Sequence, residues 1–310
     1  MRPYLFSLLA LTFASAPSVF SQDAALSGTV PVQIVVTVEG KQGMNPPALT
    51  QDDVMVWQDK QRMRVTGWTP LASSGAGTQL WLLIDDSVES TLANQFDDLR
   101  KFIAAQPATT QIGVGYMRNG MVDVLAPLST DRARAGKALR IPMGIVGGSA
   151  SPYLSLTDLM KKWPQTQQVR EVLMITSGID LYYGPGPEDP YLLECIDHAQ
   201  RDGVIVHSIY YAAIGHFGHD MWQIDWGQSD LAQISDATGG EAYWQGLLDP
   251  VSIAPYLDDL SRRLANQYEL TFLAQPGKKS EPQKVRVRTE VPHVTLVSAA
   301  RVWVPVFGRQ

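Results

Sequence analysis

Residues 79–90 read QLWLLIDDSVES, a nearly unbroken apolar run that ends in acids and hydroxyls. Asp85, Ser87 and Glu89 alternate at its end and offer several oxygen ligands in a small space. A second reading of the same residues is structural: Asp85 and Ser87 cap the helix that follows and satisfy its backbone donors. A further group of chemistry-bearing side chains lies between 210 and 226, with Tyr210, Tyr211, His216, Phe217, His219, Asp220, Trp222 and Trp226. Aromatic residues on loops suit partner binding because they bury much area at low entropy cost. Here Trp222 and Trp226 are expected to pack as a local core that pins a long loop. His216 and His219 have one adjacent carboxylate, Asp220, which is a poor transition-metal set and reads as surface histidine. Tyr182 and Tyr183, followed by Gly-Pro-Gly-Pro, form an exposed turn suited to a connector or to recognition.

Hydrolytic chemistry has little support. The chain contains neither Gly-x-Ser-x-Gly nor His-Glu-x-x-His. Thr176-Ser177-Gly178 sits where a nucleophile elbow would but lacks the first glycine, leaving a hydrolase using Ser177 with His216 or His219 as a minor reading. The glycines of SSGAGT (73–78) precede a strand and lack a following Gly-Lys-Ser/Thr, so they read as a linker and not a phosphate loop.

The elements that must position these residues follow from periodicity. Residues 80–84 read as a strand buried on both faces of a parallel sheet. Asp85 then sits at its carboxyl end, where ligands bind in open α/β sheets. Strand and helix alternate from there: a helix over 90–104, a hairpin over 111–117 and 121–126 turning at Asn119-Gly120, and helices at 130–139 and 152–162. A strand at 171–176, a helix at 189–201, a strand at 203–210 and helices at 228–238 and 250–266 follow. This alternation implies a mainly parallel sheet with helices on both faces. Three strands precede it (30–38, 54–58, 63–68), and four β-type segments follow residue 267. They are expected to pair as one small all-β module of β-sandwich type, with the α/β domain (79–266) inserted between an N-terminal part (22–72) and a C-terminal part (267–310).

The chain has 310 residues and a net charge of −6, with no basic stripe, which argues against nucleic acid as a partner. Arg2, the apolar run 4–16 and the small residues ahead of 21 read as a secretory signal peptide over residues 1–21, so the mature protein is expected to be exported, periplasmic or extracellular. No other apolar run is long enough for a membrane span. Cys195 is the single cysteine and sits in a helical pattern as a small hydrophobe.

Several stretches resemble von Willebrand factor type A domain proteins, in particular the secreted type-A-related proteins common in Acidobacteria. These are LTQDDVMVWQ at 49–58, LLIDDS at 82–87, WQIDWGQSDLAQISDATGG at 222–240, NQYELTF at 266–272 and the closing VRVRTEVPHVTLVSAARVWVP. The resemblance implies a doubly wound α/β fold and a non-enzymatic, protein-binding or adhesion-type role. It also implies a metal-ion-dependent adhesion site for Mg²⁺ or Mn²⁺, in which a hard cation takes oxygen ligands and an open position accepts a partner carboxylate. The matching positions are Asp85, Ser87, Glu89, Ser149 and Ser177. Three depart from the family pattern: Glu89 and Ser149 replace a serine and a threonine, and Ser177 replaces an aspartate. Asp86 and Asp180 are reserves nearby. Tyr182, Tyr183, His216, Phe217 and His219 are the candidates for contact with a protein partner. The competing reading is a structural or assembly subunit of an envelope complex, with a vestigial metal site.

Overall fold

The computed structural model describes residues 28–41, 44–74, 77–144, 150–184, 188–215, 220–243 and 246–306. Residues 1–21, expected to be a signal peptide, and Ser149, His216, Phe217 and His219 lie outside the described residues.

The central sheet has six strands: β4 (Thr78–Asp85), β5 (Gln111–Arg118), β6 (Met121–Ser129), β7 (Val169–Thr176), β8 (Val204–Tyr210) and β9 (Ala242–Tyr243). Their order is β6-β5-β4-β7-β8-β9. All neighbours are parallel except β5 and β6. That pair is a hairpin whose turn residues Asn119 and Gly120 both have positive φ (50° and 71°), the backbone that a two-residue turn needs. Because both faces are covered, β4 has no polar side. Leu80, Leu82 and Ile84 enter one core with Leu99 and Phe102 of α2 (Phe96–Ala105) and Leu257 and Leu260 of α7 (Ala254–Ala265). Trp81 and Leu83 enter the other core. Their partners there come from α4 (Pro152–Lys162), α5 (Pro190–Asp202) and α6 (Met221–Thr238). Cys195 lies wholly inside this second core, and burial pushes its thiol up to about 12.

The remaining strands form one antiparallel sheet, with the first three and last four β segments of the chain in a single ladder. These are β1 (Val30–Gly40), β2 (Met55–Gln58) and β3 (Gln61–Pro70), then β10 (Gln267–Ala274), β11 (Glu281–Arg288), β12 (Val294–Ser298) and β13 (Arg301–Val304). The order is β12-β1-β10-β3-β2-β11-β13. Its two edges, β12 and β13, are joined by Ala299 and Ala300 alone. So short a link forces the sheet to curl until its edges meet, and it is therefore one rolled sheet instead of the two facing sheets of a sandwich. Its core is an apolar cluster that includes Val32, Val56, Leu270, Phe272 and Val304.

Buried polar contacts tie this module to the α/β domain. Glu171 of β7 is fully buried; it accepts from Gln267 Nε2 of β10 (2.6 Å) and meets His207 Nε2 (2.8 Å). His207 Nδ1 accepts from the Glu241 N–H (3.1 Å), so in the neutral ring Nε2 carries the proton and donates to Glu171. Arg263 of α7 bridges Glu39 of β1, Glu241 and Asp259.

Candidate functional site

The strand order reverses between β4 and β7, so the crevice at the carboxyl ends of these two strands is the expected ligand position of the sheet. Asp85 ends β4 and Thr176 ends β7. Asp85 Oδ1 accepts from the Ser87 N–H (2.9 Å) and hydroxyl (2.8 Å), and Oδ2 accepts from the Thr176 hydroxyl (2.7 Å). Thr176 Oγ1 also accepts from the Gly178 N–H (3.1 Å). Burial raises the Asp85 carboxyl above its ordinary range, against the lowering effect of these hydrogen bonds. The loops around it are laced together: Ile214 N–H donates to Ser87 O, Glu89 N–H to Ala212 O, and Val88 pairs with Ala213.

Of the five positions matched to an adhesion site, the structure brings Asp85 and Ser87 together, and Thr176 completes the group where the sequence comparison had placed Ser177. Ser177 lies one residue beyond the strand, is 1% exposed, and its hydroxyl accepts from the Ile179 N–H (3.4 Å). Glu89 is half-buried at the start of a 3₁₀ turn (Ser90–Gln95), and its carboxylate is not among the hydrogen-bond partners of Asp85. Asp86 is not a free reserve. Its two oxygens take both terminal nitrogens of Arg140 (2.6 and 2.8 Å), and Oδ1 also accepts from the Met143 N–H. Arg140 in turn lies 3.8 Å over the Tyr116 ring. Asp180 is committed as well, to the Ser151 hydroxyl (2.5 Å) and the N–H groups of Tyr182 and Tyr183 (2.8 and 2.9 Å).

As arranged, the described residues do not fit Mg²⁺ or Mn²⁺. Both Asp85 oxygens already accept hydrogen bonds. The cavity beside Asp85 measures about 10 Å³ and has Met117 and Arg118 on its wall, space for one water. Mg²⁺ demands near-ideal octahedral oxygen geometry and keeps several waters. Among the described residues no group of three or more His, Cys, Asp or Glu could hold a metal ion.

A second feature lies on the same end of the sheet. Tyr182 and Tyr183, in the loop after β7, are about half exposed (51% and 50%) and lean on Tyr191 at ring-centroid distances of 5.3 and 6.5 Å. Helix α6 starts at Met221, seven residues before the start expected from the sequence, because Asp220 caps it by accepting from the N–H groups of Trp222 and Gln223. Trp222 and Trp226 therefore stand on the first turns of a helix and do not form a buried loop core. Trp222 is 71% and Met221 65% exposed, and the two indoles are 6.4 Å apart.

A small pocket of about 10 Å³ is lined by residues of the loop after β7 and of α6, among them Asp180, Asp189, Gln223, Trp226 and Asp230. Two glycines bring its walls together: a Cβ on Gly178 (φ +70°) would sit 2.3 Å from Gly227 O, and one on Gly227 would sit 2.1 Å from Ser177 O. Asp189 caps α5 through Oδ1, which accepts from the Tyr191 N–H (2.8 Å). No described N–H or hydroxyl donates to Asp189 Oδ2 or Gln223 Oε1, but the Asp189 and Asp180 carboxyls are within hydrogen-bond reach of each other, so a proton held by either one is shared between them. Burial, then the Asp180 charge, pushes the Asp189 carboxyl up to about 6. Burial, then Asp189 and Asp180, pushes Asp230 up to about 7. Sequence reasoning missed Gln223 and Asp230 because it began the helix at 228. With the helix starting at Met221, positions 223, 226 and 230 share a face by i, i+3 and i+4 spacing.

No family model matches the chain, and no curated protein matches it. Solved structures are similar in outline. An aerotolerance-related membrane protein from Bacteroides fragilis has a TM-score of 0.45 at 11% identity, over 61% of this chain and 98% of the other. A von Willebrand factor type A protein from Catenulispora acidiphila has a TM-score of 0.43 at 12% identity, over 92% and 75%. The ArnB paralog VWA2 from Sulfolobus acidocaldarius has a TM-score of 0.40 at 10% identity, over 88% and 75%. The fold assignment rests on the chain's own ladders: a mainly parallel six-stranded sheet reversing at β4 and β7, inserted in an antiparallel module. That is the type A-like fold implied by the sequence motifs, and a fold alone carries no activity.

Proposed function

We propose that the chain is an exported, non-enzymatic protein-binding module whose working surface is the aromatic rim at the carboxyl end of the central sheet. The observation that carries this reading is the exposure of Tyr182, Tyr183, Met221 and Trp222 at one end of a rigid scaffold. Large apolar side chains exposed together mark interaction sites, and Tyr and Trp are enriched among the residues that dominate interface energies. The Asp85 group supports the rim from below as a hydrogen-bonded lock between β4 and β7. Export rests on the composition of residues 1–21. Against hydrolysis stands the burial of Ser177, which keeps its hydroxyl from a substrate.

Photo-cross-linking tests the reading: benzoylphenylalanine replaces Tyr183 or Trp222, with Arg286 on the rolled sheet as the control position. Protein adducts from the rim positions in the native host, and none from the control, support it. Adducts confined to the control position favour the envelope-assembly reading.

A further inference from the structure

A cavity of about 590 Å³ opens between α4 and the edge strand β6, over the amino-terminal half of β4. It is far larger than the spaces of about 10 Å³ beside Asp85 and Asp180, and it falls in the range of about 300–1,000 Å³ of clefts that hold small molecules. Its wall is mostly apolar, with Trp81, Val124, Pro127, Leu128, Leu159 and Trp163. The two indoles meet edge to face at 6.3 Å. Trp81 can lie there because β5 has a glycine beneath it: a Cβ on Gly113 would sit 2.5 Å from Trp81 Cε3 and Cζ3. The six-membered ring therefore rests on the β5 backbone, and the N–H, on the five-membered ring, is turned away from that contact.

The polar side chains on this wall are paired, with one exception. Gln79 Nε2 donates to Gln111 Oε1 and Gln168 Oε1 (2.9 Å each), and Gln79 Oε1 accepts from Trp163 Nε1 (2.7 Å). Asp158 accepts from the Lys162 ammonium (2.8 Å) and the Val122 N–H (3.4 Å). Thr166 Oγ1 accepts from the Gln168 N–H (3.2 Å). The exception is Trp81, which is only 6% exposed and whose indole N–H finds no acceptor among the described residues. An indole nitrogen can only donate, and a buried donor without an acceptor is costly. The wall therefore calls for one acceptor. It calls for no charge, because its carboxylate and ammonium are matched to each other. We propose that this cavity binds a small, neutral, apolar molecule carrying a carbonyl oxygen that accepts from the Trp81 N–H. The rings of Trp81 and Trp163 favour an aromatic body, which can pack against them stacked or edge to face. The inference goes beyond the protein-binding reading and stands apart from it, since the cavity shares no residue with the rim.

The test uses the full chain labelled with ¹⁵N and follows the indole N–H signals of Trp81 and Trp163, assigned by their loss in Trp81→Phe and Trp163→Phe. The probe is 2-acetylnaphthalene. Its comparisons are 2-isopropenylnaphthalene, which has the same shape with CH₂ in place of the oxygen, and 2-naphthoate, which adds a charge. The expected result is a saturable shift of both signals with the ketone, the Trp81 N–H moving downfield as its hydrogen bond forms. Each comparison compound should bind about fivefold or more weakly. In Trp81→Phe, read at the Trp163 signal, ketone and alkene should come within about twofold of each other. Val124→Trp, at a half-exposed position on the wall, should weaken the ketone by about tenfold or more. No saturable shift up to the solubility of the ketone would overturn the proposal. Equal affinity for ketone and alkene in the parent would also overturn it, by showing a void that takes any apolar solute. Tighter binding of 2-naphthoate would move recognition to Lys162 and overturn the neutral assignment. If Trp81→Phe does not fold, the ketone–alkene comparison in the parent decides.

Discussion

Replacing Asp230 by Asn should stabilise the protein in neutral and alkaline solution and leave it unchanged in acid. In the folded chain the Asp230 carboxyl is pushed from 3.8 to about 7 by burial and then by Asp189 and Asp180. Between those two values the unfolded chain is ionised while the folded chain keeps the proton, so the folded state loses relative stability as pH rises. The loss is absent below the unfolded value and complete above about pH 7. At 1.36 kcal/mol per pH unit the full displacement corresponds to about 4 kcal/mol. Asp230 is partly exposed, and solvent screening reduces the expected gain to ~1–2 kcal/mol. The assay is urea unfolding of parent and variant across the acid-to-alkaline range, with stability read by linear extrapolation. The reasoning is refuted if Asp230→Asn is no more stable than the parent near pH 8, or if its advantage persists below about pH 4.

Other consequences can be checked alongside. Asp85→Ala strands the Ser87 N–H and the Thr176 hydroxyl in a buried crevice and should cost about 2–4 kcal/mol in urea unfolding; a loss under ~0.5 kcal/mol would mean that the lock is unimportant. Titrating Mg²⁺ or Mn²⁺ into metal-stripped protein should give no saturable heat, and saturable heat that disappears in Asp85→Ala would restore the cation-dependent reading. Arg140→Ala leaves the Asp86 carboxylate buried and unpaired, with an expected loss of about 3–5 kcal/mol; a stability change within ~0.5 kcal/mol contradicts the role assigned to the pair. The Cys195 thiol, buried and pushed up to about 12, should react with a thiol reagent only in denaturant, and prompt labelling of the native protein would contradict its burial.

Much of the fold was legible in the sequence because its signals are local. The unbroken apolar run of β4 announced a strand buried on both faces, and the structure sends its alternate residues into two cores. Asn119-Gly120 announced the hairpin, and Gly239 ends α6 with φ +82°. The ladder between the chain's two ends was inferable because three N-terminal strands could not stand alone. Its rolled form was not, since curling depends on which strands take the edges. The site was less legible. Thr176 and Ser177 are adjacent hydroxyls, and only the end of the β7 ladder decides that the first meets Asp85. The start of α6 depended on Asp220 acting as a cap. Nor could spacing show that Asp189 and Asp230, 41 positions apart in sequence, share a pocket; the close approach of Gly227 in α6 to the loop at Ser177 and Gly178 sets one wall of it.

The claim that matters most is that the aromatic rim is a protein-binding surface, and photo-cross-linking at matched positions tests it most directly. Benzoylphenylalanine at Tyr183 and at Trp222 should each capture the same partner, while Arg286 on the rolled sheet captures none. Adducts from Arg286 with none from either rim position would contradict the claim, and so would different proteins captured at Tyr183 and Trp222.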